Sequence, residues 1–215
     1  PGMYIGTTGS KGLHHLLWEI IDNAIDEIAN GYGNKVEVTL HKDGTASVYD
    51  NGRGIPVSPH PKLKISGGEV VFTQLHAGGK FGDNNYKYSG GLHGVGASVT
   101  NALSRYLEVT VYKDGKKYFA RFESIEKNGK IHSGVPVEHL KEVGNTTMKG
   151  TYIRFLPDDR VFKDIKFDYD VVLERLKETA FLNKGVHIEL VDERTNKQES
   201  LCYEGGIRDY VTSLT

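Results

Sequence analysis

The sequence has 215 residues, enough for one large domain or two small ones with a substantial buried core. It is 38% hydrophobic and 26% charged with a net charge of -1, which is typical of a soluble globular protein and argues against disorder and against a broad positive surface for nucleic acid. A single cysteine, Cys202, excludes a disulfide framework and a cysteine-rich zinc site and favours a reducing cytosol, and no run resembles a membrane span or a signal peptide. The 26 glycines exceed the ~7% that is typical of proteins, so their positions along the chain become important.

The predicted elements begin with a helix, because apolar residues recur at helical spacing from Leu13 to Ile28 before Gly31 and Gly33 end the run. Two strands at 35–40 and 45–49 follow, joined by a hairpin turn at 42–44. The remaining predictions are, in chain order, a short helix at 69–75, a helix at about 93–104, strands at 107–113, 116–123 and 151–156, a helix at 168–182, strands at 186–191 and about 200–203, and a last helix from about 206. This mixture favours a single α/β two-layer sandwich, a mixed sheet with helices on one face.

The first predicted helix carries a polar stripe opposite its apolar face. Glu19, Asp22, Asn23 and Asp26 fall within an arc of about 100°. A solvated helix face is the plain interpretation, but no lysine or arginine four residues away offsets the charge. The amide oxygen of Asn23 among carboxylates suits Mg²⁺, and Glu19, one turn earlier, could act as a general base toward water.

The second strand leads directly into Asp50-Asn51-Gly52-Arg53-Gly54. A glycine-rich turn capped by an aspartate explains this pattern on local grounds. Alternatively, Asp50 accepts a hydrogen bond from an exocyclic amine, while the two glycines let a flat base lie against the backbone. A carboxylate that only accepts would select adenine over guanine at that edge.

Most of the glycines cluster before the second long helix. Residues 75–82 and 89–96 are both glycine-rich, and the second stretch opens a helix. Free backbone amides at a helix start form an anion site, to which Lys80 adds a positive charge for a terminal phosphate. A mobile loop is the alternative. The pattern is neither a P-loop nor a dinucleotide-binding fingerprint.

The polar helix stripe, the turn at residues 50–54 and the glycine-rich stretches follow one another along the chain. In this order they resemble the ATP-binding fold of the GHKL superfamily, also called the Bergerat fold. The resemblance narrows to the ATPase subunits of bacterial type IIA topoisomerases, the family of gyrase B and topoisomerase IV B. It runs from residue 1 to about residue 210, and the segments that carry it are 1–6, 12–16, 19–27, 75–81, 89–96 and 101–104. It implies ATP and Mg²⁺ as cofactors.

The resemblance also implies roles for single residues. Glu19 resembles the general base that activates the attacking water, Asn23 the magnesium ligand, and Asp50 the adenine acceptor. Thr151 resembles the partner that contacts the same base edge through an ordered water. Further positions resemble the phosphate lid: Gly78, Gly79, Lys80, Tyr86, Leu92, His93, Gly94, Val95 and Gly96. The remaining nucleotide-binding positions are Asp26 and those that border the adenine pocket, where aminocoumarin antibiotics bind: Arg53, Gly54, Ile55 and Pro56.

The chain departs from the family pattern in three ways. Lys113 stands where many members have an arginine, which predicts weaker aminocoumarin binding. The loop at 57–68 has no clear counterpart. The family's N-terminal arm and its transducer domain, which supplies a lysine to the γ-phosphate, are expected to lie outside residues 1–215. Residues 1–215 are therefore expected to form one ATPase domain of a longer chain, a monomer that binds ATP and hydrolyses it slowly.

The function implied by the resemblance is ATP-driven dimerisation that gates DNA strand passage, with gyrase A as the partner in a heterotetramer and DNA bound only by the full-length enzyme. Residues 203–207 favour gyrase over topoisomerase IV. A histidine-kinase-like phosphotransferase would need a phospho-acceptor hairpin, for which there is no room before Leu13. A non-catalytic nucleotide sensor would not need Glu19.

Overall fold

The computed structural model describes residues 8–57 and 92–204, and of residues 92–96 it describes the backbone alone. Three helices and eight strands lie in these ranges. They are α1 (Ser10–Ala29), β1 (Lys35–Leu40), β2 (Ala46–Asp50), α2 (Leu92–Ala102), β3 (Ser104–Lys113), β4 (Lys116–Lys127), β5 (Lys130–Asn145), β6 (Gly150–Pro157), α3 (Tyr169–Leu182), β7 (His187–Asp192) and β8 (Lys197–Leu201). None of the helices in these ranges has the length and apolar character to cross a bilayer.

The elements predicted for the described ranges are confirmed, with small shifts at their ends. The sequence reading missed one strand, β5, because its glycines and Pro136 are typical of loops. β5 forms the edge of the sheet and pairs with β4 through several register shifts, and an edge strand with bulges tolerates a proline. β8 begins at Lys197, earlier than predicted, since pairing with β7 overrides its polar composition. The predicted helices at 69–75 and from 206 lie outside the described residues.

The eight strands form one sheet in the order β5-β4-β3-β6-β2-β1-β7-β8. Every neighbouring pair is antiparallel except β1 and β7, which run parallel. The β1–β2 hairpin turns at Gly44, whose φ of 89° is readily adopted only by glycine. This confirms the predicted mixed sheet.

The hydrophobic core lies between the helices and one face of the sheet. Alternate residues of β1 are buried, and they join the apolar face of α1 and buried residues of α2 and α3 in one cluster. α1 contributes the largest share, with Leu13, Leu16 and Leu17 fully buried. Because burying one such side chain stabilises by about 1.5–3 kcal/mol, this packing fixes the rotation of α1 and thereby the direction in which its polar stripe points.

His14 connects the start of α1 to the start of α3. Its Nδ1 donates to the carbonyl of Ser10 at 2.7 Å, and its Nε2 accepts from the amide of Asp168 at 2.9 Å. The Asp168 side chain in turn caps α3 by accepting from the amides of Asp170 and Val171. His14, part of a segment that carries the family resemblance, therefore has a structural role here.

Candidate functional site

A row of residues across the sheet forms the floor of the candidate site. Asp50 at the end of β2 lies opposite Thr151 of β6, and Thr151 lies opposite Val111 of β3. All three are buried and share the sheet face that the helices cover. The Thr151 hydroxyl accepts from the amide of Ile55 at 3.2 Å, which ties the turn after β2 to this row. The structure thus brings together Asp50, Thr151 and Ile55, which are 101 positions apart at most in the sequence.

Asp50 is a buried carboxylate with little compensation for its charge. Only 8% of the residue is exposed, and its Oδ1 accepts from the amide of Gly52 at 2.9 Å. Burial raises the pKa of Asp50 to about 7, the Gly52 amide opposes this shift, and the nearby Glu27 carboxylate adds to it. Among the described residues, no basic side chain forms an ion pair with Asp50. Its second oxygen can therefore accept from a ligand.

Two glycines permit the close packing around Asp50. A Cβ on Gly52 would lie 2.2 Å from Cγ of Glu27, and a Cβ on Gly150 would lie 1.8 Å from the carbonyl oxygen of Asp50. Gly150 also has a φ of 125°. The sequence predicted that glycines make room for a flat base, and the structure adds that Gly52 makes room for Glu27.

Glu27 is the site residue whose role the sequence reading missed. It accepts from Arg53 through three contacts, at 2.7 Å from the amide, 3.0 Å from Nε and 2.9 Å from Nη2. The Arg53 guanidinium also lies 3.7 Å from the ring centroid of Tyr32. Arg53 thus neutralises a carboxylate that would otherwise repel Asp50 more strongly. The position of Glu27 one turn after Asn23 was the available sequence signal.

The polar stripe of α1 separates into groups with different partners. Asp22 accepts a hydrogen bond from the Arg175 guanidinium of α3 at 3.3 Å. The arginine that offsets its charge therefore comes from another element and not from α1. Glu19 is 26% exposed and lies 2.9 Å from Nε2 of His15. Asp26, half-buried, accepts from Asn30 through its backbone carbonyl. Among the described residues, no donor reaches the buried Oδ1 of Asn23. Such a buried acceptor fits a hard cation such as Mg²⁺.

The other predicted positions are only partly described. Pro56 is half-buried beyond Ile55, and Lys113 donates to the carbonyl of Gly54 at 3.4 Å, so position 113 does border this turn. α2 begins at Leu92, which confirms that the glycine-rich stretch opens a helix. The backbone of α2 includes Leu92, His93, Gly94, Val95 and Gly96. The predicted lid residues outside the described ranges are Gly78, Gly79, Lys80 and Tyr86.

Comparison of the sequence with known protein families identifies the class of protein to which this site belongs. Residues 8–160 match the family described as histidine kinase-, DNA gyrase B-, and HSP90-like ATPase. The chain belongs to this family of ATPases. Its fold matches a solved structure, the 43K ATPase domain of Thermus thermophilus gyrase B in complex with an aminocoumarin, with a TM-score of 0.85 and 36% identity over 100% of this chain and 52% of that one.

Relatives at higher identity come from two kinds of enzyme. The chain is 51% identical to the B subunit of DNA gyrase from Spiroplasma citri and 52% identical to the B subunit of DNA topoisomerase 4 from Enterococcus faecalis, over its whole length in both cases. It is 53% identical to the B subunit of DNA gyrase from Synechocystis. The chain spans 33%, 30% and 20% of these relatives, respectively.

Proposed function

We propose that this chain binds and hydrolyses ATP as part of a bacterial type II DNA topoisomerase. The observation that carries the proposal is Asp50, a buried carboxylate without a cationic partner among the described residues, beside Thr151 and facing the helix that bears Asn23. Such a group is costly to bury, and a ligand that donates a hydrogen bond to it would recover part of that cost.

Adenine is the base that Asp50 would select. Its Oδ1 already accepts from the Gly52 amide, which leaves the other carboxylate oxygen for an exocyclic amine. Adenine offers that donor, whereas guanine presents a carbonyl oxygen at the same edge and would be repelled. Thr151 would contact the same edge through a water, and Gly54, Ile55 and Pro56 would border the ring.

The α1 residues would act at the phosphate end of the nucleotide. Asn23 would hold Mg²⁺ through its Oδ1, to which none of the described residues donates, with Asp26 nearby on the same stripe. Bound Mg²⁺ would offset the charge of the phosphates. Glu19 would take a proton from the attacking water, and its contact with His15 would fix its orientation. The segment with Gly78, Gly79, Lys80 and Tyr86, together with residues 92–96, would enclose the phosphates.

The wider assignments rest on the relatives. We propose a single ATPase domain over residues 1–215, within a cytoplasmic enzyme that gates DNA passage together with a second kind of chain, which would be gyrase A in the case of gyrase. Aminocoumarins would compete at the adenine pocket, as supported by the ligand of the Thermus thermophilus structure. Gyrase B is the first candidate for this enzyme. Topoisomerase IV B is the second candidate, because the chain has nearly the same sequence identity to relatives of both kinds.

A calorimetric titration with a non-hydrolysable ATP analogue, with and without Mg²⁺, tests the proposal. We expect Mg²⁺ to strengthen binding in the wild type and to have little effect in Asn23→Ala. Asp22→Asn is the matched control on the same stripe, because Asp22 is bonded by Arg175 and its loss should leave the response to Mg²⁺ unchanged. Binding that ignores Asn23 would refute the metal assignment, and no binding at all would refute the nucleotide site.

Hydrolysis separates an ATPase from a nucleotide sensor. Glu19→Ala should bind the analogue as the wild type does but lose turnover by about 100-fold or more, since it removes the base and leaves the pocket intact. Equal turnover in both proteins would favour the sensor and remove Glu19 from the mechanism.

A further inference from the structure

On the sheet face away from the helices, three side chains of different chemistry converge. His187 at the start of β7 is exposed, whereas the next residue, Ile188, is buried in the core, so His187 points to the opposite face. Ile188 pairs with Leu201 in the antiparallel β7–β8 ladder, which puts Cys202 directly across from His187. Glu204 follows two residues after Cys202. The ligating atoms of all three lie within 4.8 Å of one another.

We propose that His187, Cys202 and Glu204 bind a zinc ion, independently of the nucleotide site. The Sγ of Cys202 lies 3.7 Å from Nε2 of His187 and 3.5 Å from Oε1 of Glu204. In a tetrahedral zinc site, with bonds of ~2.3 Å to sulfur and ~2.1 Å to nitrogen or oxygen, sulfur lies about 3.6 Å from each other ligand atom. The two distances to Cys202 therefore already match such a site.

The surrounding backbone holds the cluster in place. The amide of His187 donates to the carbonyl of Asn34 at 2.8 Å, and the amide of Gly185 donates to the carbonyl of Tyr203 at 3.2 Å. The Tyr203 ring packs on Phe181 of α3 with centroids 4.0 Å apart. These contacts hold the backbone on both sides of the His187–Cys202 pair. Zinc binding therefore requires little movement of the chain apart from the exposed Glu204 side chain.

The donor set selects the metal. A thiolate with an imidazole and a carboxylate suits Zn²⁺, whereas Mg²⁺ and Ca²⁺ prefer oxygen ligands alone. On binding, the thiol releases its proton to solvent as the sulfur–zinc bond forms. Three protein ligands leave the fourth position for water or an exchangeable donor.

Cobalt substitution tests the proposal on the intact chain, with excess Mg²⁺ present to occupy the nucleotide-site metal position. Cys202 is the only cysteine, so any thiolate-to-cobalt charge-transfer band must come from this site. We expect one equivalent of Co²⁺ to produce that band and one equivalent of Zn²⁺ to remove it and to protect Cys202 from alkylation. His187→Gln and Glu204→Gln should each weaken Zn²⁺ binding by at least about 10-fold.

His132→Gln, an exposed histidine on β5, is the matched control and should bind Zn²⁺ as the wild type does. A Cys202→Ser variant should lose the band and keep the wild-type circular dichroism spectrum. The proposal is overturned if no charge-transfer band forms, or if Zn²⁺ affinity is the same in Cys202→Ser and His187→Gln as in the wild type.

Discussion

The ends of β2 and β7 both carry an aspartate that caps the following turn, but the two aspartates have different roles. Asp50 ends β2, Asp192 ends β7, and each carboxylate accepts from the amide two residues later, Gly52 at 2.9 Å and Arg194 at 3.0 Å. In β7 the same Arg194 also pairs with the carboxylate through Nε at 2.9 Å and Nη2 at 3.0 Å. At the end of β2 the corresponding residue is glycine, so no such pair forms.

The difference shows in the acidity of the two groups. The hydrogen bond from the Arg194 side chain holds the pKa of Asp192 below its usual range, against the effect of burial. Burial raises the pKa of Asp50 to about 7. Asp158 after β6 repeats the β7 arrangement, with Arg160 as its partner. Two of the three aspartates therefore stabilise strand ends, and the third retains an oxygen for a ligand.

The largest expected effect comes from breaking the β7 pair. Arg194→Leu leaves the carboxylate of Asp192, 1% exposed, without its cation, and we expect a loss of about 3 kcal/mol in the free energy of unfolding measured in urea. Nucleotide affinity should stay unchanged. Lys35→Met, which breaks the exposed pair with Glu37, is the control and should cost less than ~1 kcal/mol. Equal losses in both variants would contradict the structural role of Asp192.

Asp50→Asn tests whether the aspartate at the end of β2 recognises a ligand, and its readout is nucleotide affinity and not stability. With its oxygen still bound to the Gly52 amide, the asparagine would direct its NH₂ group at the amine of adenine, two donors face to face. We expect ATP-analogue affinity to fall by about 100-fold or more in calorimetry, because a buried polar pair is left unmatched. An affinity within a few-fold of the wild type would remove Asp50 from adenine recognition.

The same variant should reveal the pKa of Asp50 through stability. Because the folded pKa is raised to about 7, the folded state binds more protons than the unfolded state between the ordinary pKa near 4 and pH 7. Wild-type stability should therefore fall by roughly 2 kcal/mol relative to Asp50→Asn from pH 5 to pH 8. Asp192 should contribute in the opposite direction, its stabilisation being lost as the pH falls below 4. Parallel urea midpoints for wild type and Asp50→Asn across pH 5–8 would contradict the raised pKa.

The smallest expected effect concerns Lys113, a cation that borders the turn after β2. Lys113 contacts the carbonyl of Gly54 at 3.4 Å, and Lys113→Arg would offer a planar group for bidentate or stacked contacts. We expect aminocoumarin affinity, measured by calorimetric competition with the ATP analogue, to rise a few-fold while ATP-analogue affinity stays the same. An unchanged aminocoumarin affinity would show that Lys113 does not border the inhibitor.

Local patterns in the sequence predicted most of this protein. Helical periodicity identified α1, and the Asp50 turn was recognised at the end of a strand, since both depend on residues close together in the chain. β5 was missed because its acceptance of Pro136 depends on its place at the sheet edge. The partners of Glu27 and Asp22 were missed because Arg53 and Arg175 reach them only in the folded chain.

The sequence by itself determined the family, through its resemblance to known members. It also determined the order of elements and the residue types available for a nucleotide site, because both depend on residues close together in the chain. Only the tertiary structure decided which acidic groups are compensated. Asp50 and Asp192 both end strands, yet their acidity differs, because burial raises the pKa of Asp50 whereas the hydrogen bond from the Arg194 side chain lowers the pKa of Asp192. The convergence of His187, Cys202 and Glu204 likewise depends on the pairing of β7 with β8.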